Sequence, residues 1–214
     1  SGTSYSITRK ITVVQTGVPP EVTASDGLYT DCVRIACPNG TASTLCNIYR
    51  STTARCPTAA TWNRVTLPYD DTTAIPGVKY YYWVEASESP SSPISSYEKG
   101  YRAVSLSLDN AMDSFSAAGG NGSVLVSANT SWSAVSYSGW IALGAGSGAG
   151  DGVLTYVIEK NMSETPRTAT IAFTAGLGTD YPVTQTIKVT QGGKTDFTIV
   201  GGVLMKYHGT DSVV

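Results

Sequence analysis

The run "KYYYWVEA" (residues 79–86) sets Tyr80, Tyr81, Tyr82, Trp83 and Val84 in an unbroken row. Aromatic and β-branched side chains fit a pleated surface, and successive ones point to opposite faces, so Tyr80, Tyr82 and Val84 share one face and Tyr81 and Trp83 the other. The run is too short for a typical helix and follows a Pro-Gly turn signal, which makes it a strand. Working outward from it, "CVRIAC" (32–37), "CNIYR" (46–50), "SVLVSA" (123–128), "LTYVIEK" (154–160), "RTATIAFTA" (167–175) and "QTIKVTQ" (185–191) have the same character. Turn residues separate them, and no stretch has a helical period. Short alternating strands punctuated by turns are the pattern of a β-sandwich. Boundary signals at "GVPP" (17–20), near "GYRAVSLSLDN" (100–110) and at "GGKTD" (192–196) divide the chain into two such bodies.

The composition supports this reading and removes several function classes. Charged residues are 14% of the 214, against roughly 25% in ordinary soluble domains, so hydroxyls and turns carry the polarity. The formal charge of −2, with Lys and Arg scattered and adjacent only at Arg9-Lys10, offers no basic stripe for nucleic acid and no polybasic patch for a membrane surface. No apolar run approaches the roughly 18 residues of a membrane span. The N-terminal "SGTSYSITRK" has no apolar core of a signal peptide, although a mature or excised fragment has already lost one. The cysteines are Cys32, Cys37, Cys46 and Cys56, with no CxxC pair, and the sole histidine is His208. That pattern supports no zinc site. It suits disulfides in an oxidising, extracellular setting, with buried thiols as the alternative.

The first body, 18–104, resembles a bacterial fibronectin type III domain through "VPPEVTASDGLYTDCVRI" (18–35), "CNIYRSTT" (46–53) and "YDDTTAIPGVKYYYWVEA" (69–86). The resemblance makes Tyr80 the residue of a tyrosine corner with its ring packed inward. Alternation then buries Tyr82 and Val84 and turns Tyr81 and Trp83 outward. It also implies that Cys37 and Cys46 occupy inward aromatic positions on facing strands, which gives nested disulfides Cys37–Cys46 and Cys32–Cys56.

The second body, 105–193, resembles the BACON domain, an immunoglobulin-like sandwich named for its association with carbohydrate-binding proteins of gut Bacteroidetes. The residues concerned are "FSAAGGNGSVLVSANTSW" (115–132), "GW" (139–140), "NMSETPRTATIAF" (161–173) and the closing "IKVTQGG" (187–193), with Trp132, Trp140, Asn161, Arg167 and Gln191 as the skeleton. The fold class expected is therefore all-β, two tandem immunoglobulin-like or fibronectin type III-like β-sandwich domains. "ITVVQTG" (11–17) echoes "IKVTQGG", so residues 1–17 read as the last strand of a preceding BACON-like domain. Residues 194–214, with "FTIVGGVLMKYHGTDSVV" (197–214), resemble the lead-in to a BspA-like leucine-rich repeat region, whose repeats need stacked neighbours to bury their apolar faces.

No arrangement of residue types points to catalysis. The acidic clusters "YDD" (69–71) and "EASE" (85–88) read as solvated loop carboxylates, no GxSxG elbow is present, and His208 has no triad partner pattern. The glycine run "LGAGSGAGDG" (143–152) precedes a strand rather than a helix, so it reads as a loop and not a phosphate cradle. No cofactor and no metal is implied. For binding, Tyr49, Tyr81 and Trp83 would form an outward aromatic patch flanked by Arg50 and Lys79, either a saccharide platform or a covered interface; Tyr137 in "WSAVSYSGW" (132–140) is a second candidate. The chain is thus expected to be a monomeric, non-catalytic segment of a secreted or cell-surface bacterial protein, serving spacing, display and adhesion. The alternative is a carbohydrate-binding module or glycoside hydrolase accessory. Polysaccharide, host glycans or surface proteins are the expected partners.

Overall fold

The computed structural model describes residues 20–38, 45–88, 92–195, 197–201 and 203–207. Residues 1–17, including the strand expected at "ITVVQTG", lie outside this set, as do 208–214 of the C-terminal stub. The described residues are all-β, with no helix among them, hence none long and apolar enough to cross a membrane. Two compact units result.

The first unit, residues 34–71 and 80–100 with the described part of 1–24, holds two sheets. One contains β1 (Thr23–Ala24), β2 (Val33–Ala36) and β5 (Tyr69–Asp71), in the order β1-β2-β5. The other contains β3 (Cys46–Ser51), β4 (Trp62–Val65), β6 (Tyr80–Ala86) and β7 (Glu98–Gly100), in the order β4-β3-β6-β7. Ile35, Cys46, Ile48, Tyr80, Tyr82 and Val84 are buried, as alternation from Tyr80 requires.

One polar group is enclosed with them. Asp71 is fully buried, where it accepts hydrogen bonds from Arg50 Nη1 (2.7 Å) and Tyr82 Oη (2.8 Å). The Arg50 guanidinium lies 4.7 Å from the Tyr80 ring centroid and 5.2 Å from that of Trp62. The "YDD" cluster is therefore a strand with a buried ion pair, not a solvated loop. A carboxylate can stay in the interior here because a cation and a hydroxyl replace its water. Arg50 follows the inward parity of Cys46 and Ile48, so it does not flank an outer patch.

The second unit comprises residues 25–33, 72–79 and 101–214. Its four-stranded sheet has the order β12-β14-β10-β8, built from β8 (Leu106–Leu108), β10 (Gly120–Ala128), β12 (Ile141–Leu143) and β14 (Gly152–Ile158). Its five-stranded sheet has the order β13-β11-β15-β16-β9, built from β9 (Met112–Phe115), β11 (Ser131–Ser136), β13 (Ser147–Ala149), β15 (Arg167–Ala175) and β16 (Val183–Gln191). All pairings are antiparallel except that of β9 with β16, which is parallel from Met112↔Lys188 to Phe115↔Gln191. A hairpin of β17 (Phe197–Val200) and β18 (Val203–Tyr207) follows.

Ile171, Phe173, Ile187, Val189, Leu154 and Tyr156 fill the core of this sandwich. Each such aliphatic side chain contributes about 1.5–3 kcal/mol on burial. Trp132 packs 6.1 Å from the Phe173 ring, and its Nε1 donates to Gly150 O at 3.0 Å. Gly148 lies against the Trp132 ring: a Cβ there would stand 2.6 Å from Trp132 Cζ2. The glycine run at 143–152 is thus not all loop. It supplies the end of β12, all of β13 and the start of β14, and glycine at 148 leaves room for the indole.

At one end of the sandwich, buried polar side chains tie strand ends together. Gln191 Nε2 lies within bonding distance of Ser116 O (3.1 Å), Ala117 O (3.3 Å) and Glu159 O (3.0 Å), and Gln191 Oε1 accepts from Arg167 Nε at 2.7 Å. Arg167 Nη2 donates to Glu159 O, and its guanidinium covers the Trp140 ring at 4.4 Å. Asn161 Nδ2 donates to Thr165 O and Gly192 O, both at 3.0 Å. Backbone groups at the ends of β9, β14, β15 and β16 find their partners here instead of in water.

Candidate functional site

The first candidate surface is the outward face of β3 and β6. Tyr49 and Trp83 sit directly opposite each other there, and Tyr81 is stacked near Trp83 with ring centroids 6.4 Å apart. Tyr97, from the segment leading into β7, meets Tyr81 at 5.1 Å and Trp83 at 5.9 Å, edge to face. Trp83 keeps only 5% of its surface exposed and Tyr49 8%, while Tyr81 is half-buried. The three residues do come together, but as a packed aromatic layer. A stacking platform needs an open ring face, so Tyr49 and Trp83 cannot serve as one. Parity along the strand gave the direction of these side chains; it could not reveal that residues remote in sequence cover them.

The Tyr49 hydroxyl donates to Glu85 Oε2 at 2.7 Å, and Asn47 Nδ2 donates to the same oxygen at 3.3 Å. Burial, then the hydrogen bond and charge of Glu85, push the Tyr49 pKa up to about 12. Cys56 lies in the same electrostatic neighbourhood: burial first and Glu85 second raise its pKa. Cys46, buried at the head of β3, is raised by burial and then by Cys37. The structure forms no disulfide among the four cysteines, so the expected Cys37–Cys46 and Cys32–Cys56 links are not made. Cys56 neighbours Glu85 and Tyr49 on the outward side of β3 and β6. Cys32 is instead buried just before β2, a strand of the opposite sheet. Raised thiol pKa values also make Cys46 and Cys56 poor nucleophiles at neutral pH.

The second candidate surface belongs to the second unit. Tyr137 is 94% exposed, in the loop between β11 and β12, where Ile141 N closes a turn on Ser138 O. Next to this turn begins a groove of about 460 Å³ on the outward face of β10, β14 and β12, lined by Asn121, Ser123, Ala142, Gly144, Thr155 and Val157 among others. Cross-strand pairs set its floor and walls: Asn121↔Val157, Ser123↔Thr155 and Ala142↔Val157, with Leu125↔Val153 continuing it along the strands. Leu125, Val153 and Val157 are each at least half exposed. Composition hid this groove, since its residues lie apart in three segments, but the alternation in "SVLVSA" and "VLTYVIE" already sends Leu125, Val153, Thr155 and Val157 to the face opposite Val124 and Leu154.

Among the described residues, no group of three or more His, Cys, Asp or Glu side chains could hold a metal ion. Both surfaces offer contact chemistry: aromatic layering on one, hydroxyl, amide and aliphatic groups on the other.

No curated protein matches the chain. Among solved structures, a Bacteroides ovatus GH5 xyloglucanase in complex with a XXXG heptasaccharide is similar at 18% identity, with 44% of this chain aligned and a TM-score of 0.38. The chain spans 20% of that enzyme's length. A protein from Bacteroides thetaiotaomicron solved by NMR is 17% identical over 42% of this chain and 87% of its own, with a TM-score of 0.29. Mouse cadherin-23 EC22-24 is 12% identical over 83% of this chain and 62% of its own, with a TM-score of 0.32. Residues 130–192, which run from the approach to β11 through β16, match the sequence profile of the BACON family, described as "Putative binding domain, N-terminal".

Proposed function

We propose that this chain is a non-catalytic segment of a larger secreted or cell-surface bacterial protein, in which the second sandwich is a carbohydrate-binding accessory module and the first is a display module. The observation that carries this reading is the BACON match over 130–192. It falls on a sandwich whose two sheets enclose a continuous hydrophobic core. A fibronectin type III-like first domain at 18–104 is supported by its three-plus-four strand order, β1-β2-β5 against β4-β3-β6-β7. On this reading 105–193 is the binding module, and 194–214 leads toward a further module of leucine-rich type. Neutral plant or host glycans are the ligand class, and adhesion through glycans is the biological outcome. The test is retention of the whole chain on a glycan array and on insoluble polysaccharide, alongside an assay for released reducing sugar. Retention without sugar release supports the proposal. Silence across the array overturns the binding role, and sugar release overturns the non-catalytic one.

A further inference from the structure

We infer that the groove on the outward face of β10, β14 and β12 is a docking site for a neutral oligosaccharide chain, with Tyr137 standing at its β12 end. This rests on the carbohydrate-binding reading above and adds the site and the ligand class.

Three features of the face converge on that occupant. The first is its depth. Gly144 sits beside Thr155, and a Cβ at 144 would lie 2.6 Å from Thr155 Oγ1. Only glycine there leaves the Thr155 hydroxyl uncovered, so the edge strand dips where a larger side chain would fill the groove.

The second is unspent hydrogen-bonding capacity. Among the described residues, the side chains of Asn121, Ser123 and Thr155 have no protein partner. On the opposite sheet some outward hydroxyls are paired, Ser114 with Thr190 at 2.9 Å and Thr174 with Thr184 at 3.2 Å, and Lys188 adds a charge. An amide and two hydroxyls in a row provide donors and acceptors that match the hydroxyls of a sugar chain. The exposed flanks of Val157, Val153 and Leu125 offer aliphatic surface for its C–H groups.

The third is charge. The groove lining contains no Lys, Arg, Asp or Glu. An anionic polymer would find no cation, and a cationic one no carboxylate. Protein interfaces are anchored by Trp, Tyr and Arg; the lining holds no Trp or Arg, and its one tyrosine, Tyr156, is buried with its hydroxyl donating to Asp113 Oδ2. Tyr137 is exposed in the turn that leads into β12.

The test uses the full 214-residue chain. Calorimetry is run with cellohexaose and laminarihexaose as neutral probes and hexagalacturonate as the anionic one. Amide chemical-shift mapping on the unmodified protein gives a readout that needs no variant. A neutral probe should bind and shift the amides of Ser123, Gly144 and Thr155. Ser123→Arg and Thr155→Arg should each weaken binding by about tenfold or more, and Tyr137→Ala by roughly threefold to tenfold, with melting temperatures unchanged. Thr168→Arg, on the opposite sheet's outward face, should stay within about twofold. Neutral-sugar binding that survives Ser123→Arg, or maps elsewhere, overturns the groove and leaves the carbohydrate reading standing. Tighter binding of hexagalacturonate overturns the neutral class. A dimer that Ser123→Arg dissolves assigns the face to a second copy. Absence of binding by every glycan removes the groove and the broader reading together.

Discussion

Tyr49 ends on a carboxylate, and that contact gives the chain an alkaline sensitivity. Its hydroxyl donates to Glu85 Oε2, and burial together with that carboxylate raises the phenol from 10.0 to about 12. The folded state therefore holds the Tyr49 proton more tightly than the unfolded state does. The resulting stability is fully present below pH 10 and is lost as pH rises toward 12. Tyr82 and Tyr156 are shifted upward as well, chiefly by burial and by their Asp71 and Asp113 partners, and the Cys46 and Cys56 thiols are raised from 9.0. All five shifts have the same sign, so stability should decline in alkali. Thermal melts followed by circular dichroism between pH 8 and pH 12 provide the check. Tyr49→Phe should flatten the part of the decline between pH 10 and 12. A variant whose curve parallels that of the parent across that window would refute the assignment.

At the scale of elements, strand ends matter as much as strands. Gln191 joins the end of β16 to the residues that follow β9 and β14, and through Arg167 to the start of β15. Removing its side chain takes one of two donors from each carbonyl, since Ser116 O, Ala117 O and Glu159 O also accept from Gly119 N, Asn161 N and Arg167 Nη2, and it takes from Arg167 Nε its acceptor. Gln191→Ala should therefore cost about 3 kcal/mol, seen as a lower midpoint in urea denaturation, whereas a loss under about 1 kcal/mol would mean that water takes over those groups. The same elements show what a sequence reveals. "RTATIAFTA" coincides with β15 residue for residue, and "KYYYWVEA" with β6 except for Lys79. Alternation also placed Tyr80, Tyr82 and Val84 in the core. Those strands are long, and their own side chains state the period. The three-residue strands β5, β7, β8, β12 and β13 are too short to show one, and tertiary pairing defines them. For the candidate site, the same limit hid Tyr97 over Trp83 and hid Asp71 beneath Arg50. Each depends on a partner that comes from another strand or connection.

At the scale of the whole molecule, the composition and turn pattern made the all-β class legible, whereas the membership of each unit was not. The second compact unit comprises 25–33 and 72–79 as well as 101–214. Inside that unit, Asn129 Nδ2 donates to Thr30 O and Ala103 O, Tyr101 stacks on Tyr181 at 3.8 Å, and Asp180 accepts from Lys79 N. Such contacts join segments distant in the chain, where no local pattern records them. The second sandwich has one further property, which follows from β9 and β16 lying side by side and parallel. If tension is applied through Met112 and Gln191, the two strands must slide past each other, and their hydrogen bonds are loaded in concert. If it is applied through Arg167 and Gln191, the paired open end of the β15–β16 hairpin, the bonds are loaded one after another. Single-molecule pulling should thus give a higher rupture force for the first attachment than for the second, and equal forces would disprove it. The parallel pair then acts as a shear lock for a chain held under load between two surfaces.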